Sequence, residues 1–115
     1  MNFSLIVCTY LRPKPLLDLL MSVQLQTRYP SEILIIDGST NMDTQTMLAE
    51  NTFLNLKYFL ITEKDRGLTK QRNFGIQQVG NTIEIVCFLD DDTILDSMYF
   101  EKILTTYLVE KQTFG

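Results

Sequence analysis

A chain of 115 residues, 45% hydrophobic and 21% charged, has the make-up of one ordinary globular unit, which excludes collagen, coiled coil, disorder and a disulfide scaffold. Ten basic against fourteen acidic residues leave a formal charge of −4, the opposite of what a grip on nucleic-acid backbone requires, so no nucleic-acid partner is expected. Histidine is absent, which removes His-based triads and most catalytic zinc sites and leaves oxygen as the donor for any metal.

The chain opens on residues 3–8 (FSLIVC), an apolar run that reads as a strand and is too short, with no basic residues ahead of it, for a signal peptide. A helix follows, since Leu16, Leu19, Leu20 and Val23 recur at helical spacing and Pro13 and Pro15 are tolerated at a helix start. Residues 33–36 (ILII) read as the second strand, and a short, weakly patterned helix spans Asp43 to Glu50. Residues 56–61 (LKYFLI) form a third strand, whose Lys57 suits an edge position. In the next helix Leu68, Arg72, Ile76 and Val79 align down one side. Residues 83–89 (IEIVCFL) are the fourth strand. Phe100, Ile103, Leu104, Tyr107 and Leu108 stripe the last helix, with Asp96 or Ser97 as its cap. Cys8 and Cys87 sit inside apolar runs and read as small core residues, as in a reducing compartment. No apolar stretch reaches the ~18 residues of a membrane-spanning helix, although peripheral attachment stays open.

The alternation βαβαβαβα predicts an α/β fold: three αβα layers around a mainly parallel sheet, with right-handed crossovers and order 3-2-1-4. In such sheets ligands bind beyond the carboxyl ends of the strands, where strand order reverses. Here that point falls between the first and fourth strands, beside residues 9–12 (TYLR) and 90–93 (DDDT), with residues 37–40 (DGST) and 62–67 nearby.

Two of these segments carry complementary charge. Asp90, Asp91 and Asp92 follow a buried strand directly, and three adjacent carboxylates repel unless a cation joins them. In extended backbone Asp90 and Asp92 face the same way and converge on one ion. Residues 64–72 (KDRGLTKQR) hold Lys64, Arg66, Lys70 and Arg72 around Gly67, where a helix begins, an arrangement that favours anions without matching the P-loop pattern. Taken separately, the first is as readily a solvated turn and the second an exposed charged face. Together they suit a diphosphate bridged by a divalent cation, with Thr9 and Tyr10 adding a hydroxyl and an aromatic wall and Asp37 an acceptor for a base or ribose.

Four motifs in order resemble the amino-terminal half of family 2 glycosyltransferases, which have the GT-A fold. SLIVCTYLRP resembles the family's strand and PTYNR loop, and QTRYPSEILIIDGST its QTYPxxEIIVVDDGST. GLTKQRNFGI resembles GxxxARNxGI, and FLDDDTIL resembles FLDADDxx. The resemblance runs from residue 3 to about residue 108. It implies a nucleotide-diphosphate-sugar donor, inverting transfer to a hydroxyl of a carbohydrate or lipid-linked acceptor, and a role in polysaccharide biosynthesis in the cytoplasm, either free or peripheral at the cytoplasmic face of the membrane. By position, Cys8, Thr9 and Tyr10 line the base pocket, and Arg72 reaches the base or diphosphate. Asp90 and Asp91 contact nucleoside and ribose, and Asp92, with Asp90, ligates Mg²⁺ or Mn²⁺. Cys8 stands where the family has proline, and Leu11 where it has asparagine. A single Asp37 precedes GST where the family has two acids: alignment on DGST makes Asp37 the base-reading acid, and an ungapped alignment puts Gly38 there.

In that family the catalytic base and acceptor site lie beyond the D-x-D region, so the resemblance implies a base beyond Gly115. Residues 1–115 then read as one partial domain that binds donor and does not complete transfer unaided. A non-catalytic nucleotide-binding or interaction module is the alternative from another class, with Phe100, Tyr107 or their neighbours on the helix near residues 98–109 driving self-association. A haloacid-dehalogenase-type phosphatase fits less well, because its D-x-D-x-[TV] motif needs Thr or Val where Ile94 stands and normally opens the fold.

Overall fold

Two strands buried along almost their whole length sit at the centre of the sheet, where both faces are covered. These are Phe3–Thr9 (β1) and Glu32–Asp37 (β2). Leu56–Leu60 (β3) and Ile85–Asp90 (β4) flank them, and all neighbours pair in parallel in the order β3-β2-β1-β4. The computed structural model describes the backbone of residues 1–114 and side chains as far as residue 108. Gly115, the residue beyond which the catalytic base is expected, lies outside the described residues, and so does the side chain of residue 109 at the end of the expected self-association segment. Four helices connect and follow the strands: Pro13–Gln24 (α1), Asp43–Ala49 (α2), Leu68–Gln78 (α3) and Tyr99–Phe114 (α4), with a single 3₁₀ turn at Glu63–Asp65. The expected strand order and αβα layering are those observed.

Alternation along the strands builds two cores. Leu5, Val7, Ile33 and Ile35 face α1 and α4, packing on Leu16, Leu19, Leu20, Val23, Phe100 and Leu104. The Phe3 and Phe100 rings lie 5.0 Å apart and tilted, joining the start of β1 to α4. On the opposite face Ile6, Leu34 and Ile36 meet Phe74 and Val79 from the α3 region, with Phe59 edge-on to Phe74 at 5.7 Å. Phe100 is fully buried, so it does not contribute to an exposed patch on the last helix; Tyr107 and Leu108 are the exposed residues of that stripe. Asp96 accepts from the Met98 N–H at 2.8 Å in the turn just ahead of that helix, while the Phe100 N–H in its first turn bonds Gln26 Oε1 at 3.1 Å. Among the described residues no helix is long and apolar enough to cross a membrane.

The third helix departs from its expected orientation. Leu68, Arg72 and Ile76 are exposed, and Gln71 and Gly75 are the buried positions. Close approach explains it: a Cβ at Gly75 would stand 2.8 Å from Ile6 Cγ2 and 3.3 Å from Ile36 Cγ1, so α3 lies against β1 and β2 only through a residue without a side chain. The helix therefore covers the middle of the sheet and not β4, where Val86 and Phe88 remain exposed and the Arg72 guanidinium lies 5.5 Å from the centre of the Phe88 ring.

A branched side chain at residue 75 must push the helix off the sheet. Gly75→Val is expected to cost about 1–3 kcal/mol, the usual penalty of overpacking, read as a lower urea midpoint at unchanged slope. Unchanged stability would contradict the close helix–sheet contact.

Candidate functional site

Parallel register brings the strand ends to one edge. Thr9 pairs with Asp37 across β1–β2, and Cys8 with Asp90 across β1–β4. The chain leaves β1 through Tyr10, Leu11 and Arg12, and Leu11 takes a left-handed conformation (φ 54°) stabilised by its N–H bond to Ser39 Oγ at 2.8 Å. Gly67 (φ 118°) occupies the matching turn before α3, a conformation that favours glycine.

One side chain ties these loops together. Gln71 is only 4% exposed, and its Nε2 donates to the carbonyls of Thr9 (3.2 Å) and Ile36 (2.9 Å). Its Oε1 accepts from the Gly67 N–H at 3.1 Å. The ends of β1 and β2 and the start of α3 are thus joined through a single amide. Gly38 completes the junction: its N–H bonds the Thr9 carbonyl (3.0 Å), and its carbonyl accepts from Arg66 Nε (2.6 Å).

A cleft of ≈ 470 Å³ opens above this junction. Cys8, Thr9, Tyr10 and Arg12 form one wall, Arg66, Gly67, Leu68 and Gln71 the other, and Asp91 lies at its base. The N–H groups of Leu68, Thr69 and Lys70 belong to the first turn of α3 and have no acceptor within the helix, which adds a positive dipole end to the two arginines. The cleft thus combines an aromatic face, donors without acceptors and positive charge.

Asp91 carries the negative side of the site. Its Oδ2 accepts from Thr9 Oγ1 (3.0 Å) and its Oδ1 lies 3.5 Å from Arg12 Nη1, while Arg12 Nη2 lies 3.7 Å from Asp92. Burial raises the Asp91 pKa from its ordinary value; the Thr9 bond and Arg12 oppose this and the charges of Asp92 and Asp90 add to it. Burial likewise lifts the Cys8 thiol to about 11, with Arg72 acting against it, so Cys8 is neutral at physiological pH.

The residues expected from sequence divide by location. Cys8, Thr9, Tyr10 and Asp91 line the cleft together. Asp37 lies beneath it, 0% exposed, with Oδ1 accepting from the Ser39 N–H and hydroxyl and Oδ2 from the Tyr58 hydroxyl at 2.6 Å. Arg72 stands outside the lining, over Phe88. Asp90 is exposed at the end of β4, and Asp92 is exposed at the rim beside Arg12. The strand ends at Asp90 and a turn closes at once, with the Thr93 N–H bonding the Asp90 carbonyl, so strand alternation does not extend to Asp92. Sequence reasoning assigned no role to Gln71; Arg12, Arg66 and Gly67 were visible only as parts of loop or basic segments, and Leu68 as part of an apolar stripe.

Oxygen donors at this edge suit a hard divalent cation better than a thiophilic one. Among the described residues, however, no three Asp, Glu, Cys or His side chains converge on one point. Exposed carboxylates such as Asp92 and Asp90 therefore fit a cation whose coordination is completed by ligand oxygens, not a closed protein cage.

The raised Asp91 pKa fixes a sign for stability. The folded chain holds this proton more tightly than the unfolded chain, so ionising Asp91 lowers stability as pH rises from the ordinary carboxylate value through the folded one. Asp91→Asn retains an acceptor for Thr9 and removes the charge. It is expected to be at least as stable as the native chain at pH 7 in urea denaturation, with the advantage fading toward acid pH; a variant far less stable at pH 7 would contradict this.

Comparison with known proteins agrees with the architecture. The family model described as Glycosyl transferase family 2 matches residues 4–112. The crystal structure of S. aureus TarS superposes with a TM-score of 0.73 at 30% identity, covering 91% of this chain and 19% of that one. TarS 1-349 in complex with UDP-GlcNAc gives 0.76 at 29% identity, covering 91% and 30%, and its complex with UDP gives 0.75 at 30%, covering 91% and 31%. The chain therefore spans between a fifth and a third of the solved chains it resembles. No curated protein matches the sequence. With a GT-A-like sheet in the expected order and a family match over nearly its whole length, this chain belongs to glycosyl transferase family 2.

Proposed function

We propose that this chain binds a nucleoside-diphosphate sugar and forms the donor side of a glycosyltransferase that moves the sugar, with inversion, to a hydroxyl of a carbohydrate or lipid-linked acceptor. The observation that carries the proposal is the cleft: Tyr10 offers a ring face for a base, while Arg12 and the first turn of α3 offer positive charge to a diphosphate. TarS 1-349, similar in fold over this region, was solved with UDP-GlcNAc and with UDP, which supports this class of ligand.

Within this reading Thr9, Tyr10 and the Cys8 backbone form the nucleoside wall. Asp91 anchors that wall through Thr9 and holds Arg12 over the phosphates. Asp92, exposed at the rim, would hold Mg²⁺ or Mn²⁺ together with ligand oxygens; when bound, the ion neutralises diphosphate charge and assists departure of the leaving group. Transfer also needs a base to take the proton of the acceptor hydroxyl. Among the described residues the one carboxylate lining the cleft, Asp91, is committed to Thr9 and Arg12, so the reading looks for that base outside the residues that line the cleft.

Calorimetric titration with UDP and GDP tests it. Binding of at least one is expected, tighter with Mn²⁺ or Mg²⁺ than with a chelator, and the metal-dependent gain is expected to vanish in Asp92→Asn. No binding of any nucleoside diphosphate would remove the assignment. Sugar transfer by the purified 115-residue chain would contradict the base expected beyond Gly115.

A further inference from the structure

The acid that the DGST segment offers for reading a base is sealed away, and a different side chain occupies the space above it. Asp37 is fully buried and both its oxygens are taken, by Ser39 and by Tyr58. The next residue toward the cleft is Gly38, where a Cβ would stand 3.1 Å from both Arg66 Cγ and Gln71 Oε1. The missing side chain at residue 38 is what lets the Arg66 stem lie across the strand end.

Arg66 is itself held in place. Its Nε donates to the Gly38 carbonyl at 2.6 Å, and its guanidinium carbon lies 6.0 Å from the centre of the Tyr10 ring. Among the described residues it has no carboxylate partner within salt-bridge distance and no hydrogen bond from its two terminal nitrogens. A guanidinium carries only donors, in a planar fork, and cannot lose its charge. The cleft therefore presents, beside an aromatic face, a fixed fork of donors with nothing among the described residues to receive them.

We propose that Arg66 is the residue that reads the nucleobase, and that it selects bases with a carbonyl oxygen at the 4- or 6-position, uracil or guanine, over cytosine and adenine, which carry an amino group there. The selection follows from polarity: a donor-only fork pairs with an exocyclic oxygen and meets an exocyclic amino group donor against donor, leaving both unpaired. Asp37 supports the floor beneath, and Gly38 orients the fork through its carbonyl. This inference rests on the nucleoside-diphosphate reading of the cleft.

Calorimetry with UDP, CDP, GDP and ADP, each with Mg²⁺, separates the two ideas. UDP is expected to bind at least about tenfold more tightly than CDP, and GDP more tightly than ADP, since one charge-assisted hydrogen bond exceeds a decade in affinity. Arg66→Ala is expected to abolish both preferences, and Arg66→Lys to lose most of them, because a point charge keeps the attraction for phosphate and not the planar fork. Far-ultraviolet circular dichroism and thermal unfolding of both variants check that they fold. Equal weakening of all four ligands and of pyrophosphate in Arg66→Ala, with binding largely kept in Arg66→Lys, would reassign Arg66 to the diphosphate and overturn the inference while leaving the nucleotide reading intact. Preference for CDP or ADP in the native chain would also overturn it. Failure of all four to bind would overturn both.

Discussion

The site depends on one buried amide. Parallel strands end in carbonyls that no neighbouring strand satisfies, and the crossover to α3 must begin where two such ends meet. Gln71 answers both needs by donating to the Thr9 and Ile36 carbonyls and accepting from the Gly67 N–H. Buried backbone groups are expensive to leave unpaired, so this arrangement constrains the loops more tightly than apolar contact alone would. Without it, the loop carrying Tyr10 and Arg12 and the turn carrying Arg66 and Gly67 would be joined only through the backbone of Gly38.

That constraint also explains what could and could not be read from the sequence. Strands, their order and the position of the site followed from apolar runs and their alternation with helices, because burial on both faces of a parallel sheet leaves a strong compositional trace in β1 and β2. The facing of α3 did not follow. Its inward side is Gln71 and Gly75, one chosen for hydrogen bonding and the other for having no side chain, and hydrophobic periodicity registers neither. The stripe of Leu68, Arg72 and Ile76 belongs to the outer side, beside the uncovered Phe88.

The candidate site was legible in the same uneven way. Thr9, Tyr10 and Asp91 follow strand ends directly, so sheet topology alone places them together at the cleft. The confinement of Asp37 depends on Tyr58, twenty-one residues away and on another strand, which no local pattern encodes. Asp90 and Asp92 looked convergent on the assumption of extended backbone, and the turn closed by Thr93 ends that assumption at Asp90. Opposite charges do pair at this edge, through Arg12 with Asp91 and Asp92, but that arginine comes from the first loop; among the described residues no ion pair joins the acidic segment to the basic run before α3.

The central claim is that the cleft between β1 and α3 is the nucleotide site. Amide chemical-shift mapping of the isotope-labelled chain on addition of UDP with Mg²⁺ tests it most directly. The account predicts the largest shifts at Thr9, Tyr10, Arg12, Gly67, Leu68 and Gln71, with little change at Phe100 and Leu104 on the opposite side of the sheet. Shifts centred on α4, or none at saturating UDP, would contradict it.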